Sequence, residues 1–449
     1  MSALRRASGR HVVAVVAAVA LGAATAGARG LATFIGLSLA SLVGLWVLVR
    51  QLGGRSAAGA DADRLLHWTM LAFAVHLGLS AVLNAVAYQI SDAVTYHGGA
   101  VDIVRHWQDG HPLPILPAGK EGFYYLLGGL FWVFGEHNVA GLVVNAALAA
   151  AAVPLISDVT GRLFGGEAAR HVPPLVLLLP GLLLWTSQLL KEAAVVFLVA
   201  LSLSAAVRLL RRLTLSGLGV LTIAVSLLFT MRGHVALVVA AALVAGIALG
   251  RPSVISGVGA GLAALVLMGV LVVASGLGHS GYEAATGSDL RRANLVRQDL
   301  ATSGKSGFGS DTDISTPGGA IAYLPRGVLS FMLGPFPWQL AGARQLVALP
   351  DVLVWWLLLP SLGRGMRAAV RRAGRAVLVP LLPAVMTTVL LSLVVANFGT
   401  VVRERSQVVV LLLPFIALGL SLRGATPDAG APAPHLQTDG LLAVPQGSR

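Results

Sequence analysis
Apolar residues run along the chain in blocks of roughly 17 to 24 positions with few charges, separated by short stretches rich in Arg, Gly and Pro. A helix of about 20 residues crosses roughly 30 Å of hydrocarbon and satisfies its own backbone hydrogen bonds there. The blocks predict crossings at about 12–29, 31–50, 66–90, 138–157, 172–187, 191–210, 215–231, 234–250, 254–277, 349–363, 377–396 and 406–422. The shorter alternating segments of a transmembrane barrel are absent. The expected fold is all-α, a polytopic transmembrane helical bundle of about twelve crossings. Two connections, 91–137 and 278–348, are long, and each holds an apolar, aromatic stretch interrupted by Gly or Pro: Phe123 to Phe134 and Leu324 to Leu340. Such stretches suit helices lying in the outer interface; a short or re-entrant span is the alternative for each.

Composition agrees, with 56% hydrophobic and 11% charged residues and a mean hydropathy of +0.82. The formal charge of +13 raises the question of nucleic acid, so its location along the chain matters. With the N-terminus inside, nineteen of the 32 Lys and Arg and six of the 19 Asp and Glu fall on the cytoplasmic side. The whole net charge is then positive-inside bias, and no nucleic-acid partner is expected. The bilayer is the expected partner, in a cell membrane, with both termini cytoplasmic and the long loops outside. Residues 1–65 read as two extra helices, 66–422 as a core, and 423–449, rich in Ala, Pro and Gly, as a disordered cytoplasmic tail. The first segment, preceded by Arg5, Arg6 and Arg10, is alternatively a cleaved signal peptide; the second still runs outside to inside. The chain has no cysteine, which excludes disulfides, thiolate metal sites and cysteine nucleophiles.

Long loops on one face are where function concentrates. The first opens with Ser91-Asp92-Ala-Val-Thr-Tyr96, followed by Asp102, Arg105, His106 and Trp107. On a helix Asp92 and Tyr96 share a face, as do Asp102 and His106. A partly desolvated carboxylate at the lipid boundary has a raised proton affinity and suits a general base toward an acceptor hydroxyl; a solvated loop Asp is the plain alternative. Lys191 and Glu192 occupy a tight outer turn between two apolar blocks. They suit either a lipid phosphate, or snorkelling and helix initiation. Arg232, Arg326, Arg403 and Arg405 stand at outer helix ends, where positive-inside bias does not account for them. Guanidinium forks suit the phosphate or pyrophosphate of a polyprenyl carrier, and pairing with headgroups and Glu404 is the alternative. The Gly- and Ser-rich stretch 302–319 reads as a mobile cover. Asp311 and Asp313 lack the spacing of a calcium loop, so no metal and no other cofactor is expected. Walker, G-x-S-x-G and H-E-x-x-H motifs are absent.

From about residue 66 to 422, the order of these features resembles the GT-C superfamily of membrane glycosyltransferases. That superfamily includes the protein O-mannosyltransferase-like and lipid-A-sugar-transferase-like bacterial families. The matching stretches are Ser91-Asp92 to Tyr96, Phe123-Tyr-Tyr to Asn138, Arg162-Leu-Phe-Gly-Gly, Pro180 to Lys191-Glu192, and Arg403-Glu-Arg405. The resemblance implies a polyprenyl-phosphate-linked sugar donor, a glycan, lipid or protein acceptor on the outer face, and inversion by direct displacement. Asp92 would be the base, and Lys191, Arg232, Arg403 and Arg405 would hold the donor phosphate. Tyr96, Asp102, Glu192 and Arg326 are further substrate-loop candidates. The chain departs from the pattern in its two leading helices, in having no second acid beside Asp92, and in lacking a large soluble outer domain. A lipid-linked oligosaccharide polymerase or ligase, and a carrier or flippase, are the competing readings.

Overall fold
The computed structural model describes residues 30–52, 62–86, 90–117, 119–251, 259, 290–303, 306–339 and 346–423. Among them every regular element is helical, and the one β-type pairing is an isolated antiparallel bridge between Gly307 and Asn397. The principal helices are α1 (Gly30–Leu52), α2 (Ala62–Ala85), α3 (Ser91–Asp109), α4 (Glu121–Phe134) and α5 (Val139–Phe164). The short α6 (Gly166–Ala169), α7 (Val172–Leu178) and α8 (Pro180–Thr186) lead into α9 (Glu192–Arg211), α10 (Leu215–Met231) and α11 (Gly233–Gly250). After them come α12 (Leu290–Ser303), α13 (Pro317–Leu333), α14 (Leu349–Ala373), α15 (Leu378–Val394) and α16 (Phe398–Ser421).

By length and composition six helical runs are apolar enough to cross a membrane, or seven if the bent α6–α7 and α8 pair is one span. Among the described residues this count is lower than the twelve apolar blocks, of which 12–29 and all but residue 259 of 254–277 lie outside the description. α10 is only 17 residues long, and Leu349–Val394 runs on as a single 46-residue stretch. That stretch breaks at Gly374, whose φ of +52° ends α14 in a conformation L side chains avoid. The helices on either side, α14 and α15, both pack on α16. The contact between α14 and α16 is close because glycines meet backbone there. A Cβ on Gly365 would lie 1.8 Å from the Phe415 carbonyl oxygen, and one on Gly419 1.8 Å from that of Ser361.

Charged residues gather at two ends of the bundle. At one end, Asp158 of α5 binds Arg162 at 2.9 Å and Arg208 of α9 at 3.1 Å, tying together the C-terminal turns of those helices. The N-termini of α9, α11 and α16 and the C-terminus of α10 meet at the opposite end, where α3 and α4 also lie. Phe123 to Phe134 is helical within α4, and Leu324 to Leu333 within α13, which is capped at Gly334 before the rest of that stretch. Trp107, Tyr125 and Trp132 form an exposed aromatic cluster on α3 and α4, a composition typical of headgroup depth. The stretch 302–319 is docked over its described part. Phe308 N donates to Ala396 O, Phe398 N donates to Ser306 O, and the Phe308 and Phe398 rings stack at 4.4 Å. Of the stretch read as a mobile cover, residues 306–308 are thus held against the start of α16 in this structure.

Candidate functional site
Four helix ends carry the charges that meet. Asp92 is the second residue of α3, Lys191 and Glu192 begin α9, Arg232 joins α10 to α11, and Arg403 lies in the second turn of α16. Asn397 caps α16 by accepting from Gly399 N at 2.9 Å, which fixes the register that points Arg403 and Glu404 into the cluster. Lys191 and Glu192 are delivered by a break in the helices. Pro180 forces Leu179 into an extended conformation (ψ 110°), bending the pair by 57°. The chain then runs through a buried, non-helical turn at 187–190. Buried irregular backbone needs partners, and Asn145 Nδ2 donates to the carbonyls of Gln188 (2.6 Å) and Leu190 (2.9 Å). Ser80 Oγ donates to that of Ser187 at 2.7 Å.

Glu192, 1% exposed, sits at the centre. Its Oε1 accepts a hydrogen bond from Arg232 Nη2 at 3.1 Å and lies 3.3 Å from Arg403 Nε. Arg232 also pairs with Glu404 at 3.0 Å, and Arg403 Nη1 donates to Asp92 Oδ2. Lys191 is 4% exposed, yet its ammonium has no ion pair or hydrogen bond among the described residues. Exposed Lys120 completes the set, acting electrostatically on Asp92 and Lys191. The largely buried basic side chains Lys191, Arg232 and Arg403 thus stand among three carboxylates, Asp92, Glu192 and Glu404, with Lys120 beside them at the surface.

The expected rise in the proton affinity of Asp92 is corrected. Burial pushes its carboxyl up, but the Arg403 guanidinium, by charge and hydrogen bond, and the nearby Lys120 and Lys191 outweigh it, leaving it below the usual carboxylate range. Tyr96 is buried, with ring centroids 4.9 Å from both Phe123 and Tyr124, and burial raises its phenol above the ordinary value.

Asp92, Lys191, Glu192, Arg232 and Arg403 thus come together, with Tyr96 in electrostatic reach. Arg405 does not join them. On the far side of its helix it is 1% exposed, donating to Asp351 Oδ2 at 2.7 Å and to Gly334 O at 2.8 Å. Asp351 in turn accepts from Gly181 N at 2.8 Å, so this ion pair ties α8, α14 and α16. Asp102 pairs with Arg105 at 3.6 Å on the exposed surface of α3, and Arg326 is exposed on α13. Sequence reasoning did not select Lys120, His234 or Glu404 as site residues. Each carried a signal: Lys120 directly precedes an apolar aromatic helix, and the other two lie within two positions of a selected arginine. Among the described residues no group of three or more His, Asp or Glu is arranged to hold a metal ion.

No protein-family model, curated protein or solved structure matches the chain.

Proposed function
We propose that the chain is an integral membrane glycosyltransferase that moves a sugar from a polyprenyl-phosphate donor to an acceptor hydroxyl on the outer face of a cell membrane, with about twelve crossings and both termini cytoplasmic. The supporting observation is the convergence of residues from 92 to 403 on one ion network, buried except at Asp92, beside a buried lysine, Lys191, that has no ion pair among the described residues. Lys191, Lys120, Arg232 and Arg403 bind the donor phosphate, and Glu192 and Glu404 hold the arginines in place.

The charge balance orders the steps. A polyprenyl-phosphate-linked sugar is a phosphodiester with one negative charge, and Lys191, which has no ion pair among the described residues, is available to it. The acceptor oxygen attacks the anomeric carbon, the bond from that carbon to the phosphate oxygen breaks, and its electron pair leaves with the phosphate. The acceptor proton passes to Asp92. Neutralised, Asp92 no longer competes for Arg403, which turns to the second negative charge on the departing polyprenyl phosphate. Attack opposite the leaving group inverts the anomeric centre. A carrier needs a polar path across the bundle, whereas these charges gather at its ends.

The test is transfer of radiolabelled sugar from a polyprenyl-phosphate donor by the protein in nanodiscs. Arg403→Met is expected to lower turnover at least about 100-fold, and the product is expected to have inverted anomeric configuration. Retention of configuration, or full turnover in Arg403→Met, contradicts the mechanism.

A further inference from the structure
Helix α14 runs past its apolar part into Arg364, Arg367, Arg371 and Arg372, and Arg375 follows in the turn after Gly374. This is the end of the bundle away from the ion network. A Cβ on Gly250, the last residue of α11, would lie 3.0 Å from Leu210 of α9 and 3.3 Å from Arg375 O, and Arg208 of α9 binds Asp158. The carboxylates of Asp63, Asp158 and Glu167 at this end are already paired, with Arg50, with Arg162 and Arg208, and with Arg170. Arg367, Arg371, Arg372 and Arg375 are exposed, and their side chains have no ion pair or hydrogen bond among the described residues.

Two of these arginines continue an apolar face. Leu353, Leu357, Pro360, Arg364, Arg367 and Arg371 follow one another at alternating steps of four and three, which makes one stripe along an α-helix. Leu353, Leu357 and Pro360 are exposed at its apolar end, Leu357 by 73%, and Arg367 and Arg371 at its basic end. Arg364 between them is half-buried and donates to Ser361 Oγ at 3.1 Å. From Leu357 to Arg367 the helix rises about 15 Å, half of the roughly 30 Å hydrocarbon thickness of a bilayer. That is the reach of one acyl chain from headgroup depth to the bilayer middle. Guanidinium forks fit pairs of phosphate oxygens. A lipid lying along the stripe therefore covers the leucine with its chain and reaches the arginines with its headgroup. An acidic protein or a nucleic acid meets only the arginines.

We propose that this stripe docks an anionic phospholipid, its phosphate held by Arg367 and Arg371 and one chain lying along Pro360 and Leu357. Arg372 and Arg375 add positive charge beside the headgroup. On the topology proposed above, the lipid belongs to the inner leaflet. The surface lies at the opposite end of the bundle from Asp92 and stands whether or not sugar transfer occurs there.

The probes are phosphatidylglycerol and phosphatidylcholine of equal chain length, mixed in equal amounts in nanodiscs that hold the full chain. Native mass spectrometry of the released protein reads which lipid it retains. Phosphatidylglycerol is expected to be retained at least about tenfold over phosphatidylcholine, and Arg367→Gln combined with Arg371→Gln is expected to lower that preference about tenfold. Arg64→Gln, exposed at the start of α2, is expected to leave the preference in place. Neither Arg367 nor Arg371 has a partner among the described residues, so the doubly substituted chain is expected to melt with the parent, and its lost preference is not lost folding. Equal retention of the two lipids by the parent, a preference that survives the double substitution, or the same loss in Arg64→Gln overturns the site.

Discussion

The Asp92 carboxylate accepts a hydrogen bond from Nη1 of Arg403, 311 positions further along the chain. The candidate base and a candidate phosphate ligand are therefore already paired with each other, and protonation of Asp92 is what releases Arg403 in the proposed mechanism.

Its first consequence is for pH. The folded-state pKa of Asp92 is depressed, so its contribution to stability is complete above the ordinary value of 3.8 and is lost as pH falls through the lower folded value. With its side chain 43% exposed, that contribution is screened and small. For the same reason kcat/KM is expected to show no acid limb attributable to Asp92 between pH 7 and 5. An acid limb centred near pH 6 that disappears in Asp92→Asn, with its residual activity, contradicts the pairing.

Lys191 and Asp351 separate binding from folding. Lys191→Met removes an unpartnered buried charge, so the melting temperature is expected to hold or rise while donor KM rises at least about tenfold. Asp351→Ala strands buried Arg405 and is expected to cost about 3–5 kcal/mol. Its measured effects are a lower melting temperature and yield, with donor KM unchanged in the folded fraction.

Close approach of α14 and α16 depends on their glycines. Gly365→Leu places side-chain atoms where the Phe415 carbonyl lies, so loss of the monodisperse folded peak in size-exclusion chromatography is expected. A folded variant of parental stability contradicts that packing.

The docked 306–308 segment offers a covalent test. Because the chain has no cysteine, Phe308→Cys with Phe398→Cys introduces a unique pair, expected to cross-link on oxidation while activity persists. Activity lost on oxidation and restored by reductant indicates instead that this segment moves during turnover.

Much of the bundle was legible because apolar blocks of helical length have few alternatives in a membrane. Most of each block within the described residues is helical, though 172–187 is broken at Leu179 and 66–90 runs beyond the helix that ends at Ala85. The bend at Pro180 left its mark in the sequence, and so did the turn carrying Lys191 and Glu192. What no linear pattern carries is partnership. Arg403 and Arg405 are two residues apart, yet helical geometry sends one to Asp92 and Glu192 and the other to Asp351. The proton affinity of Asp92 was misread for the same reason, since its dominant neighbour is remote in sequence. The 302–319 stretch has the composition of a flexible cover, but its backbone pairing with 396–398 depends on the tertiary fold.

The most direct measurement is sugar transfer by Asp92→Asn from a polyprenyl-phosphate-linked donor, in nanodiscs, beside donor binding and melting temperature. Loss of turnover by about 10²–10⁴, the usual weight of a general base, with donor binding and melting preserved, is the predicted result. Undiminished turnover in Asp92→Asn contradicts the central claim.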